Sequence, residues 1–163
     1  MSANYIFDDV AGGQLGLMAG LTYITNYDVD RGDGSPTFDG LNNRNASFGQ
    51  LGSVPKTRLN VGVDWRTDKH AVNLWVRHIG GYDDRTPSNT NETIDDFTVL
   101  DVQYMLSLDV GGGVTDLSIG VNNLTDEDPP AIDRGSSNGR RAFDSQVHDP
   151  RGQTVYLRVK HSF

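Results

Sequence analysis

The sequence predicts an all-β protein, built as an antiparallel up-and-down meander of six to seven long strands. Three observations lead to this fold class. Apolar and polar residues alternate along most of the chain, helical periodicity is nearly absent, and short Gly-rich connections alternate with long polar ones. Successive side chains of a strand face opposite sides of the sheet, so this alternation predicts one apolar and one polar face.

Six segments carry the alternation, and a seventh strand is expected to end near "NYIF". The segments are residues 14–27, 57–67, 70–79, 98–108, 115–123 and 152–163, with the seventh at residues 4–7. In the last segment, "GQTVYLRVKHSF", one face carries Val155, Leu157, Val159 and Phe163, and the other carries Tyr156, Arg158 and Lys160. Trp75 is an exception, because it falls on the polar side of its segment.

The lengths of these segments favour strands that cross a membrane. They run for about 9 to 14 residues, whereas strands of soluble proteins peak near 5–6 residues. A strand that crosses a bilayer at a tilt of about 45° needs roughly 9–11 residues.

The connections point the same way. Those at 8–13, 67–69 and 109–113 are short, and those at 28–56, 80–97 and 124–152 are long. In a meander, alternate connections lie at opposite ends of the sheet, so all short turns are predicted at one rim and all long loops at the other. Outer-membrane barrels have this asymmetry, with short periplasmic turns and long extracellular loops. A soluble antiparallel sheet with one wet face is the alternative.

Composition excludes several classes of function. The net charge is −8 and the pI is about 4.7, which argues against nucleic acid as a partner because phosphate binding needs a basic surface. There is no cysteine, so a disulfide scaffold and a thiolate metal site are excluded. The N-terminal "MSANYIFDDVAGG" has neither a basic nor an apolar segment of a signal peptide.

No residue pattern predicts catalysis or a cofactor. Asp28, Asp30, Asp33 and Asp39 lie among glycines, but the third aspartate comes one position later than in a calcium loop, which favours a solvated surface loop. The four histidines lack a metal-binding spacing, and the carboxylates form no distinguishable acid–base pair. The chain is therefore not expected to be an enzyme.

Two segments near the C-terminus resemble the end of TonB-dependent receptors of Gram-negative bacteria. The first is "IGVNNLTDEDPP" (119–130), a strand that ends in Asn-Leu followed by acidic residues and prolines. The second is "AFDSQVHDPRGQTVYLRVKHSF" (142–163), in which Asp149, Pro150, Arg151 and Gly152 lead into a terminal strand that closes on Phe163. The earlier "VPKTRLNVGVDW" (54–65) is similar to preceding strands of that family.

The resemblance implies a 22-stranded transmembrane barrel of the bacterial outer membrane, filled by a plug, that imports scarce nutrients with energy from the inner membrane. Iron chelates (siderophores), cobalamin and glycans are the cargo classes it implies. Residues 1–163 would then be a partial barrel domain with the C-terminal strands and no plug. We expect such a piece to depend on the rest of the barrel and the plug, on outer-membrane lipid and on the outer-membrane assembly machinery.

The resemblance also assigns roles to residues. Polar side chains facing the lumen would hold the plug through hydrogen bonds and ion pairs, and these are Arg58, Asp64, Arg77, Asp101, Asp116, Arg158 and Lys160. The terminal strand would act as a barrel-assembly signal through Val155, Leu157, Val159 and Phe163. Two alternatives stay open: a soluble all-β module that binds glycans or calcium, and a small porin-like barrel formed by self-association.

Overall fold

The computed structural model describes residues 1–30, 32–45, 52–85, 91–132 and 142–163, and these residues form strands, turns and loops without a helix. In chain order the strands are β1 (Ser2–Val10), β2 (Gly13–Tyr23), β3 (Asp28–Val29), β4 (Phe38–Asp39), β5 (Asn43–Arg44), β6 (Thr57–Arg66), β7 (His70–Ile79), β8 (Tyr82–Arg85), β9 (Asn91–Ile94), β10 (Phe97–Val110), β11 (Gly113–Asn122), β12 (Ala131–Ile132), β13 (Ala142–Phe143) and β14 (Thr154–Ser162).

One large antiparallel sheet contains the seven long strands. Its order is β1, β2, β6, β7, β10, β11, β14, and every neighbouring pair is antiparallel. The predicted all-β meander is therefore confirmed, with seven strands. Some bounds differ from the predicted ones, because β1 begins at Ser2 and β2 already ends at Tyr23. Tyr27 lies in the loop that follows β2, where its ring approaches Gly40.

The three short connections are tight turns at one rim of the sheet. They comprise residues 11–12, 67–69 and 111–112. Gly111 and Gly112 have φ angles of 62° and 83°, which is the left-handed geometry that two-residue hairpin turns need and that glycine adopts without strain. The three long connections meet at the opposite rim, as the lengths predicted. We call these the turn rim and the loop rim.

The apolar face of the sheet is continuous from β1 to β14. One row across it is made of directly paired residues, namely Tyr5, Leu17, Val63, Leu74, Val102, Val121 and Val155. Many large side chains on this face are exposed to the surroundings: Tyr5, Leu17, Leu21, Tyr104, Ile119, Val155, Leu157 and Val159. None of the described residues covers this face.

Hydrogen-bonded pairs of polar side chains border the apolar face at both rims. At the turn rim, Nδ1 of His70 lies 2.8 Å from the Tyr104 hydroxyl, and Nδ1 of His161 lies 2.8 Å from Oγ1 of Thr115. At the loop rim, Nδ1 of His78 lies 2.8 Å from Oγ1 of Thr98. Each pair joins neighbouring strands, so the histidines are satisfied locally at the edges of an otherwise apolar surface.

The buried apolar core lies at the loop rim. Tyr82, Ile94 and Ile132 are buried together, and Val147 packs against them. These residues come from the second and third long connections, and β5, β8 and β9 form a small sheet there. We call the described residues of the three long connections (24–56, 80–96 and 123–153) the loop cap. No helix long and apolar enough to cross a membrane occurs within the described ranges.

Candidate functional site

The strand register brings the seven polar residues proposed for the lumen to one face. Arg58 and Asp64 lie on β6, Arg77 on β7, Asp101 on β10, Asp116 on β11, and Arg158 and Lys160 on β14. The pairings at the four interfaces between these five strands put all seven on the side opposite the apolar row. This grouping, predicted from alternation alone, defines the polar face of the sheet.

Arg77 and Asp101 form the best-connected ion pair on this face. Nε and Nη2 of Arg77 donate to the two carboxylate oxygens of Asp101, at 3.0 and 3.2 Å. Asp101 also accepts a hydrogen bond of 2.8 Å from the backbone N–H of Asn123. A charge-assisted, two-pronged contact of this kind fixes geometry as well as adding energy. The pair therefore ties the start of the third long connection to the strand face.

The other members of the set are less tightly held. The Ser107 hydroxyl donates to Asp116 at 2.7 Å, and Lys160 lies directly across from Asp116 on the next strand. Asp64 makes an exposed contact of 3.6 Å with Arg66. The exposed pair of Asp64 and Arg66 contributes little to stability because water screens it, so Asp64 is available to a partner.

Two aromatic rings cover glycines on the polar face. The ring of Trp75 occupies the place where a Cβ on Gly62 would be, with ring carbons 2.9 Å from that point. Tyr156 covers Gly120 in the same way, and its hydroxyl donates to Oε1 of Gln103 at 3.1 Å. Trp75 thus breaks the alternation because the glycine opposite it supplies room for the ring.

A cleft of about 270 Å³ opens between the polar face and the loop cap. Its floor includes Arg77, Ile79 and Phe97 from β7 and β10, and its roof includes Asp149 and Arg151 from the third connection. Because every floor strand ends at the loop rim, the cleft lies where the sheet meets the cap.

Asp149 and Arg151 form a second guanidinium–carboxylate pair at the mouth of the cleft. Nε and Nη2 of Arg151 contact the carboxylate of Asp149 at 2.6 to 3.0 Å, and the backbone N–H of Arg151 also donates to it. These hydrogen bonds lower the pKa of the Asp149 carboxyl to about 2, and the same contacts raise the pKa of Arg151. The pair is therefore fully charged at any physiological pH.

A buried polar cluster holds the loop cap together. The Tyr82 hydroxyl donates to Oδ2 of Asp144 at 2.8 Å, so the contact of 3.0 Å between that hydroxyl and Nε2 of His148 requires the ring nitrogen to donate. His148 is buried, and its Nδ1 has no hydrogen-bond partner within the described residues. Burial lowers the pKa of His148 and raises the pKa of Tyr82. The imidazole is accordingly neutral in the folded cap.

Further polar contacts order the first and second connections. Nη1 of Arg44 lies 3.0 Å from Oδ2 of the fully buried Asp84. The buried Asn45 amide donates to the carbonyls of Gly40 and Gly52, at 3.1 and 3.0 Å. Asn side chains that bond backbone groups in this way fix loop conformation. The cap is therefore preorganised rather than a set of independent loops.

Three of the four aspartates considered for a calcium loop are used in their own turns, and the fourth, Asp28, lies on β3 and accepts a hydrogen bond of 3.0 Å from Nδ2 of Asn26. Asp30, Asp33 and Asp39 each accept a hydrogen bond of 2.8 to 2.9 Å from the backbone N–H two residues later. Such turns are the ordinary use of Asp in loops. Among the described residues, no group of three or more His, Cys, Asp or Glu side chains is arranged to hold a metal ion.

The terminal strand forms one edge of the large sheet. Val155, Leu157 and Val159 lie on the apolar face, opposite Val121, Ile119 and Leu117 of β11. Phe163 follows the last paired residue and is fully exposed. In the described part of the chain, β11 is the one strand that pairs with β14.

Comparisons of the chain with known proteins gave no match. No family model, no curated protein and no solved structure matches it. The fold and its geometry therefore carry the functional argument.

Sequence reasoning missed the residues that build the cap and the cleft. Tyr82, Asp144 and His148 are distant in sequence, and no spacing rule connects them. The pair of Asp149 and Arg151 was noticed only as part of a motif. One sequence feature could have located the cleft: Ile79, Phe97 and Val99 are apolar residues at positions on the polar face, which indicates that another part of the chain packs over them.

Proposed function

We propose that the chain forms C-terminal barrel wall and extracellular loops of an outer-membrane TonB-dependent transporter for nutrient uptake. The observation that carries the proposal is the continuous, uncovered apolar face bounded by polar pairs at both rims. Most large apolar residues of a soluble sheet are packed against a second layer. Here Leu157 is 73 % exposed and Ile119 is 52 % exposed, and bilayer lipid is the medium that suits such a surface.

The dimensions of the face support a membrane location. Beyond the polar Thr98, the apolar run on β10 from Leu100 to Leu108 measures about 26 Å at ~3.3 Å per residue. At a strand tilt of about 40° this corresponds to a height of about 20 Å, which is close to the ~25 Å apolar band of outer-membrane barrels. Trp65 and Tyr104 near the turn rim, and Tyr23 near the loop rim, are then the interfacial aromatic residues.

The direction of the edge strands supports a larger assembly. Seven antiparallel strands make β1 and β14 run the same way, and each has one neighbouring strand among the described residues. In lipid every backbone group must be paired, so the sheet must close. If β14 paired with β1 of the same chain, or of a second chain inserted in the same orientation, the two strands would pair in parallel. An antiparallel seam requires another segment that contributes an odd number of strands, as a 22-stranded barrel would.

The two faces then have separate partners. Lipid covers Val155, Leu157 and Val159, and Phe163 at the turn rim is presented to the assembly machinery. The polar face lines the lumen, where the seven polar residues listed above, Arg58 to Lys160, contact the plug. The loop cap lies outside the cell and takes part in capturing a siderophore, cobalamin or a glycan.

The topology can be tested by labelling single cysteines, because the chain has none of its own. Asp128→Cys lies in the third long connection and Asp68→Cys in a short turn, and both positions are exposed. The chain is produced in Gram-negative cells behind a cleavable export signal. In intact cells, an impermeant maleimide is expected to label position 128 but to reach position 68 only after the outer membrane is permeabilised. The cysteine-free parent is the control. Labelling of position 68 in intact cells, or recovery of the chain in the soluble fraction, would refute the proposal.

A further inference from the structure

We propose that the cleft between the polar face and the loop cap binds a neutral polyhydroxylated ligand of the size of a sugar ring. This inference rests on the proposed function, since it names the class of cargo that the loop rim recognises. It selects the glycan class over anionic iron chelates. The argument depends on three properties of the lining: its paired charges, its apolar wall and its exposed amide.

The paired charges argue against an anionic ligand. Nε and Nη2 of Arg77 are occupied by Asp101, and Nε and Nη2 of Arg151 are occupied by Asp149. A carboxylate or phosphate could reach only the end-on edge of each guanidinium, formed by Nη1 and the second Nη2 hydrogen. There it would lie beside a carboxylate that already neutralises the arginine, so like-charge repulsion weakens an anionic contact. The hydroxyl groups of a polyol can instead bond to Nη1 of either arginine, which these contacts do not use, and to the outer lone pairs of Asp149.

The apolar wall matches the carbon-rich face of a sugar. Ile79 and Val147 line the cleft as half-buried side chains. The other two apolar lining residues, Phe97 and Val99, are buried, at 7 % and 4 % exposure, and give the wall its backing rather than its surface. A ligand with hydroxyl groups alone would gain nothing from them. A sugar ring presents C–H groups on one side and hydroxyl groups at its rim, so it can use the wall and the paired ions at once.

The remaining polar group completes a site of low net charge. The exposed Asn122 lies on the floor of the cleft, and its amide offers both a donor and an acceptor. The whole chain carries a formal charge of −8, so its field repels anions on approach. A volume of about 270 Å³ suits a single ring or the end of a longer glycan.

The test measures binding of matched neutral and anionic sugars by the full chain in detergent micelles. Saturation-transfer NMR would compare methyl glucoside and methyl galactoside with methyl glucuronide and methyl galacturonide, which differ from them at C6. We expect at least one neutral glycoside to bind saturably and about tenfold or more tightly than its uronide. Asn122→Ala and Arg151→Ala should each weaken binding about tenfold, as expected for a lost hydrogen bond to an amide or a charged group. Lys69→Ala is the control, because it also removes a positive charge and Lys69 is exposed in a short turn at the opposite rim, and it should leave binding unchanged.

The outcomes separate this inference from the proposed function. Preference for the uronides, or no saturable binding by either neutral glycoside, overturns the inference, even where cysteine labelling supports a membrane location. Equal weakening by Lys69→Ala also overturns it, because binding would then not be at the cleft. Saturable, cleft-dependent binding by a chain that stays in solution without detergent would support the inference and refute the proposed function.

Discussion

Exchange of Leu157 for arginine separates a lipid-facing sheet from a water-facing one. Leu157 is the middle residue of the apolar run on β14, opposite Ile119 of β11, and 73 % of its surface is exposed. An exposed leucine in water can be replaced at a cost within about 0.5 kcal/mol. On the lipid face of a barrel, arginine near the midplane costs about 2–4 kcal/mol. The expected loss corresponds to a fall of about 30- to 900-fold in the folding equilibrium constant.

The assay is reversible urea unfolding of the full chain from phospholipid vesicles, followed by tryptophan fluorescence. Arg158→Leu is the matched control, because Arg158 is the next residue of the same strand and lies on the polar face. We expect Leu157→Arg to lower the free energy of unfolding by about 2–4 kcal/mol and Arg158→Leu to change it by less than about 0.5 kcal/mol. If Leu157→Arg left the free energy of unfolding unchanged, or if Arg158→Leu lowered it more than Leu157→Arg did, the assignment of the faces would be wrong.

Three further perturbations address the cap and the polar face. The pKa of His148 is lowered in the folded protein, so the unfolded chain takes up the proton at a higher pH than the folded one. The cap should therefore lose stability as the pH falls below about 6.5. Hydrogen exchange of the cap at pH 7.5 and pH 5 should show this loss, and His148→Gln should remove the pH dependence of the cap's stability. Gly120→Ala places a methyl group against the ring of Tyr156 and should lower the free energy of unfolding by about 1–3 kcal/mol, whereas an unchanged urea midpoint would mean that the ring moves freely. Asp84→Ala leaves the half-buried Arg44 without its 3.0 Å partner and should destabilise the cap by about 2 kcal/mol, seen as faster limited proteolysis, while unchanged cleavage would contradict a structural role.

Alternation predicted the large sheet because its physical cause is local. Each strand residue faces one side or the other, and neighbouring strands must match faces whatever their partner. That is why Arg58, Asp101 and Lys160, which come from three different strands, could be grouped before any contact was known. The lengths of the connections supplied the two rims in the same way. The end of β2 was misplaced because Tyr27 continues the alternation by coincidence in a loop.

The loop cap could not be predicted because its contacts join residues that are far apart in sequence. Tyr82 and Asp144 meet across 62 positions, and no periodicity records such a pairing. Trp75 was identified as an exception, but its explanation required the position of Gly62 on the neighbouring strand. The cleft combines both problems, since its floor is set by the register and its roof by the cap.

The two parts of the molecule obtain their stability from different surroundings. The buried core of the cap is small, but apart from Nδ1 of His148 and Oδ1 of Asn43 its described buried side-chain polar atoms have hydrogen-bond partners, so it can be ordered in water. The sheet exposes its largest apolar residues, such as Leu157 and Tyr5, and gains from burial only when lipid or another chain covers them. Removal of detergent at neutral pH should therefore disorder or aggregate the strands of the sheet, which have two unpaired edges in the described region. The cap should stay ordered under that treatment and should loosen only when acid protonates His148. A single cooperative response to both treatments would mean that cap and sheet share one source of stability, and the division of the faces between lipid and lumen would then lose its physical basis.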